Sequence, residues 1–148
     1  MEHYTVLRTL TQVGGGFILV CRHNLLNSVV VIKRIQINAT ARGFVAMEVA
    51  AYQALQQGYA NMIGGAHVLH LYETFQEKQH QHLVLDYCPN GELYDLLKSM
   101  PKQRCNPTLA QYYFYQIATG VAFIHAHGLA HRDLSLENIF VTVEGMLK

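Results

Sequence analysis

The chain has 148 residues, 14% of them charged and 51% hydrophobic, with a formal net charge of +1. That length suits one ordinary domain, and a near-neutral balance without any run of Lys and Arg excludes nucleic acid or an acidic membrane surface as the expected partner. Charged residues fall well short of the roughly 25% typical of soluble domains, which predicts a piece of a larger core whose missing half would cover these apolar side chains. The stretch from Met1 to Arg8 lacks the apolar core of a signal peptide, and runs such as Phe17 to Cys21 are too short to span a bilayer. Cys21, Cys88 and Cys105 are odd in number and include no Cys-x-x-Cys, so neither a disulfide framework nor zinc is expected. A soluble cytoplasmic protein with no membrane partner is the resulting expectation.

The first third reads as strand. Tyr4 to Leu7, Phe17 to Cys21 and Ser28 to Ile35 are rich in β-branched and aromatic residues. Gly14-Gly15-Gly16 and the segment Asn24 to Asn27 separate them, which predicts an antiparallel meander. Over residues 41 to 57 the period changes, with Phe44, Val45, Val49, Tyr52 and Leu55 at helical spacing and Gly58 as the stop. Two short strands follow, His67 to Tyr72 and His82 to Asp86, around the polar turn Gln76 to Gln81. Cys88-Pro89-Asn90-Gly91 is the clearest break. Beyond it the pattern predicts helices from Glu92 to Ser99 and from Thr108 to His127, closed by Gly128, and a last strand from Ile139 to Val143. The order is α+β: a small β-rich lobe with one helix, a connector, and the start of a helical lobe.

Lys33 ends the apolar run Val29-Val30-Val31-Ile32, where its ammonium could reach the phosphates of a nucleotide. A solvent-facing strand lysine explains the residue equally well on its own. Glu48 lies among apolar helical neighbours, where an unpaired carboxylate is costly, so the two are expected to pair. In His131-Arg132-Asp133-Leu134-Ser135-Leu136-Glu137-Asn138 an Asp precedes an Asn by five positions, in a short loop between an amphipathic segment and an apolar run. That arrangement suits phosphoryl transfer, since the Asp can accept a proton from an attacking hydroxyl and the Asn amide oxygen can hold magnesium. The spacing of His125, His127 and His131 gives no common face for a metal. Buried, hydrogen-bonded histidines are expected instead.

Taken in order, Lys33, Glu48, the connector Leu85-Asp86-Tyr87-Cys88-Pro89-Asn90-Gly91-Glu92-Leu93, His131-Arg132-Asp133 and Asn138 resemble the catalytic domain of eukaryotic-type protein kinases. The resemblance runs from about Tyr4 to Lys148. It implies a five-stranded antiparallel N-lobe carrying one helix over about 1–85, a hinge over about 86–91, and the first part of a helical C-lobe over about 92–148. By that resemblance Asp133 is the base, Asn138 a magnesium ligand, Lys33 the phosphate contact and Glu48 its partner. Ile18, Val31, Leu85 and Phe140 line the adenine pocket, Asp86 and Cys88 present backbone groups to the base, and Glu92 meets a ribose hydroxyl or a basic substrate residue. The implied cofactors are ATP and Mg2+, and the implied partner is a protein substrate. Glu137 before Asn138 follows the Ser/Thr-type pattern, and Arg132 takes the place of the arginine that kinases pair with an activation-loop phosphate.

Four departures qualify the match. The family's Gly-x-Gly-x-x-Gly-x-Val is degenerate: counting back from Lys33 puts Ile18 at the Val and Gly16 at the third Gly, with Thr11 and Val13 replacing the others. A second register makes Val20 the Val and keeps only the middle Gly, at Gly15. Ser135 stands where a Lys steadies the γ-phosphate in Ser/Thr-type kinases. Val31 replaces the Ala that lies over adenine. Asp-Phe-Gly is absent, so Asn138 is a poor magnesium site by itself, and the expectation is a truncated kinase domain that is inactive as this polypeptide. A pseudokinase or kinase-like binding module without turnover stays open beside the enzyme.

Overall fold

The computed structural model describes residues 1–13, 15–56 and 63–148. These divide into two compact units. One holds Met1–Gln56 and His70–Tyr87, the other Cys88–Lys148 with residues 63–69.

The first unit is a five-stranded antiparallel sheet in the order β1-β2-β3-β5-β4, built from β1 (Tyr4–Val13), β2 (Gly16–His23), β3 (Val29–Gln36), β4 (Leu71–Glu77) and β5 (His80–Asp86). Side chains alternate across it with period two. On one face Tyr4, Leu19, Cys21, Val30, Ile32 and Val84 form a buried cluster against Met1, Phe17 and Phe75. On the other, Leu71, Leu83 and Leu85 pack with Ile35 and with Val49 and Tyr52 of the helix α1 (Ala41–Gln56). The Asn38 side chain accepts the Ala41 amide at 2.8 Å and so caps the start of α1.

Several boundaries depart from the sequence reading. β1 runs to Val13 rather than Leu7, because Arg8, Thr9, Thr11 and Gln12 pair with β2 although they bury nothing. The strand expected at His67 to Tyr72 lies later, at Leu71–Glu77. Ile63–His67 is a 3-10 turn, and the connection between β4 and β5 narrows to Lys78 and Gln79, with Lys78 at φ 54°. Phe44, placed on the inner face by its spacing, is 69% exposed. The stop expected at Gly58 lies outside the described residues.

In the second unit, α2 (Leu93–Ser99) and α3 (Pro107–Ala126) surround a cluster of Leu93, Tyr113, Ile139, Val141 and Leu147. Asn106 caps α3 by accepting the Leu109 amide at 2.8 Å, and Pro107 fills the first turn, where its missing N–H costs nothing. α3 buries Tyr113, Gln116, Gly120 and Phe123, a stripe of helical period, with Gly120 and Phe123 against the 3-10 turn Ile63–His67. A Cβ on Gly64 would stand 2.4 Å from the Thr119 carbonyl oxygen, and one on Gly120 would stand 2.8 Å from that of His67. These paired glycines let the two backbones touch. At the far end of α3, Gly128 (φ 71°) donates to the His125 carbonyl and ends the helix.

The strand expected at Ile139 to Val143 is replaced by two isolated bridges, Glu92 with Phe140 and Val141 with Leu147. Leu93 N–H donates to the Ile139 carbonyl, while Phe140 and Lys148 exchange both backbone bonds at 2.8 and 2.9 Å. The segment is tied on both sides without a continuous ladder. Among the described residues the cysteines are unbridged, and no helix is long and apolar enough to cross a membrane.

Candidate active site

Within the first unit the register gathers four of the expected binding residues on one sheet face. Ile18 lies opposite Lys33, Lys33 opposite Leu83, and Val31 opposite Leu85. Val20, opposite Val31, shares that face, so both registers of the degenerate loop deliver an apolar side chain to the same surface. α1 lies against this face and carries Glu48 to Lys33, with Nζ to Oε1 at 2.6 Å. Each side chain is 31% exposed, so the pair is partly desolvated and its charges are opposed at close range. Tyr52, one helical turn beyond Glu48, has its phenol pushed up to about 12 by burial first and then by the carboxylates of Glu48 and Asp86.

The glycine turn has structural reasons of its own. Val13 pairs directly with Gly16. A Cβ on Gly16 would stand 2.1 Å from the Arg34 carbonyl oxygen of β3, and Gly15 has φ 87°. Close backbone approach and a left-handed turn thus account for both glycines.

Asp86 ends β5. Its N–H donates to the His70 carbonyl at 3.1 Å. Its carboxylate accepts the His70 N–H at 2.8 Å and the Tyr72 hydroxyl at 2.7 Å. Nothing in the sequence reading anticipated this cluster. Its only sign is the register irregularity between Leu71 and Glu73, which turns Tyr72 toward Asp86.

The second unit holds the remaining candidates. Cys88 is buried, and its carbonyl accepts the Gly91 N–H of a turn in which Gly91 has φ 73°. Glu92 stands at the start of α2 without a side-chain capping bond. Phe140 is half-buried beside it through the bridge. In the loop, the Asn138 Nδ2 donates to the Asp133 backbone oxygen at 2.9 Å and to Oδ2 at 3.0 Å. With the amide nitrogen committed to Asp133, the Asn138 oxygen is the atom left for a cation, and the Asp133 carboxylate is oriented while exposed. Arg132 takes φ 65°, an uncommon conformation for a non-glycine residue, which re-aims the chain just before Asp133.

The histidine expectation holds in part: the His131 Nδ1 accepts the Asp133 N–H at 3.4 Å, but burial is not found. His125 and His131 are exposed, and only His127 is half-buried, its Nδ1 bonded to the Phe123 carbonyl oxygen at 2.8 Å. Polar aromatic side chains at a helix end need no burial when water can satisfy them. Two further side chains act in this unit. The Gln116 Oε1 accepts the Leu147 N–H at 2.8 Å, and the His67 Nδ1 meets the Leu147 carbonyl at 3.0 Å.

Comparison with known proteins follows the same direction. The family model described as "Protein kinase domain" matches residues 4–148. Maternal embryonic leucine zipper kinase of Danio rerio is 30% identical over 150 residues, covering 100% of this chain and 21% of that protein. Serine/threonine-protein kinase chk1 of Schizosaccharomyces pombe is 36% identical over 85 residues, which is 57% of this chain and 17% of that protein. Serine/threonine-protein kinase ksp1 of the same yeast is 36% identical over 78 residues, 51% of this chain and 16% of that protein. The chain therefore spans about a fifth or less of the curated relatives it matches.

Proposed function

The chain belongs to the protein kinase family, and from that premise we propose that it carries the nucleotide-binding and base-bearing parts of an ATP-dependent kinase of Ser/Thr type. The bonded pairs Lys33–Glu48 and Asp133–Asn138 support this most directly, because each sets two family residues in a geometry with a use. Glu48 holds the Lys33 ammonium toward the surface made by Ile18, Val20, Val31 and Leu85, where it can meet the phosphates of a nucleotide. Asp133, held by the Asn138 amide, can take the proton of an attacking hydroxyl, and positioning of that kind is most of what phosphoryl transfer asks of a protein. ATP fits a one-faced apolar surface with a fixed cation. Mg2+ would find the Asn138 amide oxygen here, and when bound it would neutralise charge on the phosphates. Val31 and Leu85 offer apolar contact to adenine, Asp86 and Cys88 its backbone contacts, Phe140 a further wall, and Glu92 a carboxylate for ribose or a basic substrate residue. The boundaries follow as an N-lobe over about 1–85, a hinge over about 86–91 and C-lobe residues over about 92–148, in a cytoplasmic protein.

The Ser/Thr assignment is supported by Glu137 before Asn138 and by the names of the relatives. The glycine loop keeps at most one of the family's three glycines, and Ser135 offers the γ-phosphate no ammonium. Those two features also favour a second reading, a kinase-like binding module without turnover. Calorimetric titration of the full natural chain with ATP and magnesium tests the enzyme reading. Binding at micromolar to sub-millimolar nucleotide, lost in Lys33→Met, is the expected result, and no binding at millimolar ATP favours the module.

A further inference from the structure

The segment joining α2 to α3 concentrates positive charge. Lys98, Lys102 and Arg104 fall within seven residues, and the chain has no Asp or Glu from residue 96 to residue 132. All three side chains are exposed. Among the described residues the ion pairs are Met1 with Glu77 and Lys33 with Glu48, so none of the three cations has a carboxylate. Lys98 follows Asp95 at a spacing that suits a helical pair, yet its ammonium lies 5.6 Å from the centroid of the Tyr94 ring instead. The backbone beneath the charges is tied by its own bonds. Met100 N–H donates to the Leu97 carbonyl at 3.1 Å and Gln103 N–H to the Met100 carbonyl at 2.9 Å. Lys102 and Gln103 both take left-handed conformations, at φ 58° and 52°, which are uncommon for side chains of this kind. A closed turn thus presents three like charges without an internal counter-charge. The same α2 packs against the 3-10 turn Leu136–Asn138, so the charges sit on an element that braces the loop of Asp133 and Asn138.

We propose that Lys98, Lys102 and Arg104 form a docking surface for an acidic segment of a protein substrate, separate from the residues beside the phosphorylated hydroxyl. The inference deepens the kinase reading and rests on it for the partner's role as substrate. Carboxylates of the docked segment supply the missing counter-charges. Each exposed pair contributes little, so affinity comes from several carboxylates engaged together. Because α2 links these cations to the turn that carries Asn138, a docked chain is held on the unit that bears Asp133, which raises the local concentration of its hydroxyl there. The seven residues of α2 span about 10 Å. An extended chain advances about 3.3 Å per residue, so the acidic run stands at least about three residues from the acceptor. Three cations interrupted by Ser99, Met100, Pro101 and Gln103, in a chain of net charge +1, suit a short peptide. A membrane or a nucleic acid is recruited by a broader positive field.

The test uses the full natural chain and two dye-labelled peptides, read by fluorescence anisotropy. One alternates glutamate with glycine, and the other has glutamine in place of every glutamate. The acidic peptide should bind at least about ten-fold more tightly, and that margin should vanish as salt rises from about 0.05 to about 0.5 M. The combined variant Lys98→Glu, Lys102→Glu, Arg104→Glu should abolish the margin, and the matching triple change to Gln should reduce it. Arg22→Glu, the same charge change at an exposed position of β2, should leave it intact. Equal affinity for the two peptides, a margin untouched by the triple reversal, or an equal loss in Arg22→Glu would overturn the proposal. Tighter binding to phosphatidylserine vesicles or to duplex DNA than to the acidic peptide would overturn it as well. ATP titration of the same samples separates the two readings. The triple variant should keep wild-type ATP affinity; a wild-type chain that binds the acidic peptide through these residues but no ATP would overturn the kinase reading, and the partner's role as substrate with it.

Discussion

Removing the charge of Glu48 isolates the interaction on which the first half of the site depends. Glu48→Gln keeps the length and an oxygen for Lys33, and Lys33→Met keeps most of the apolar stem. At 2.6 Å and an effective dielectric constant of about 20, two unit charges attract by about 6 kcal/mol. Most of that is offset by desolvation and by the cost of ordering two long side chains. Exposed pairs retain about 0.2–1 kcal/mol, whereas breaking a fully buried pair costs about 3–5 kcal/mol. With each side chain 31% exposed, the pair falls between these limits. A double-mutant cycle should therefore give a coupling of about 1–2 kcal/mol. Urea unfolding followed by circular dichroism is the assay, since the chain has no Trp to report by fluorescence. The coupling should shrink when salt rises from about 0.15 to about 1 M, as the screening length falls from about 8 to about 3 Å. A coupling within about 0.3 kcal/mol of zero would refute the claim that this geometry stabilises the unit.

Gly16→Ala should destabilise the first unit by about 1–3 kcal/mol, because its Cβ meets the Arg34 backbone and not a side chain that can move; an unchanged urea midpoint would return Gly16 to a purely nucleotide-facing role. His82 is buried with both ring nitrogens lacking a partner among the described residues, and burial first, then the N-terminal ammonium and Arg34, holds its pKa below the ordinary value. The unfolded chain then takes up the proton first as pH falls. The stability of neutral His82 is thus present above about pH 6.5 and lost as pH falls through the lower folded value, with a slope of at most about 1.4 kcal/mol per pH unit. His82→Leu should flatten that slope, and an identical pH profile would refute the assignment. Phe114, Tyr115 and Leu134 are 71%, 61% and 53% exposed, so the purified 1–148 polypeptide should bind a hydrophobic dye; an unchanged dye signal would contradict that expectation.

Where periodicity was strong the sequence was readable. β3, α1 and α3 begin and end within a residue or two of expectation, since Val29 to Ile32 is a β-branched run in which Val30 and Ile32 are buried and Val29 and Val31 less so, and Tyr113, Gln116, Gly120 and Phe123 follow one helical stripe. β1 was too short because its polar half, Arg8 to Gln12, has no run of β-branched or aromatic residues, and pairing with β2 is what makes it a strand; Tyr4 is its buried residue among 4–12. β4 was displaced because the bulge beside Tyr72 breaks the alternation that marks a strand. The Lys33–Glu48 bond followed from the cost of an unpaired carboxylate among apolar neighbours, a local argument that survives folding. The Asp86–Tyr72–His70 cluster did not, because no spacing rule relates residues joined only by a register shift. Ile139 is buried in the cluster with Leu93 and Val141 and Phe140 is half-buried, while Leu134 is exposed.

The central claim is that Asp133, steadied by Asn138, is the base of a protein kinase that uses the surface around Lys33 to hold ATP. Transfer of labelled γ-phosphate to a mixed Ser/Thr and Tyr peptide pool by the full natural chain, wild type against Asp133→Asn, tests it most directly. The account predicts label on Ser and Thr for the wild type, and a loss of about 10²–10⁴-fold in kcat for the variant with ATP affinity unchanged. Undiminished transfer by Asp133→Asn, or a wild type that binds ATP and labels nothing, would contradict it.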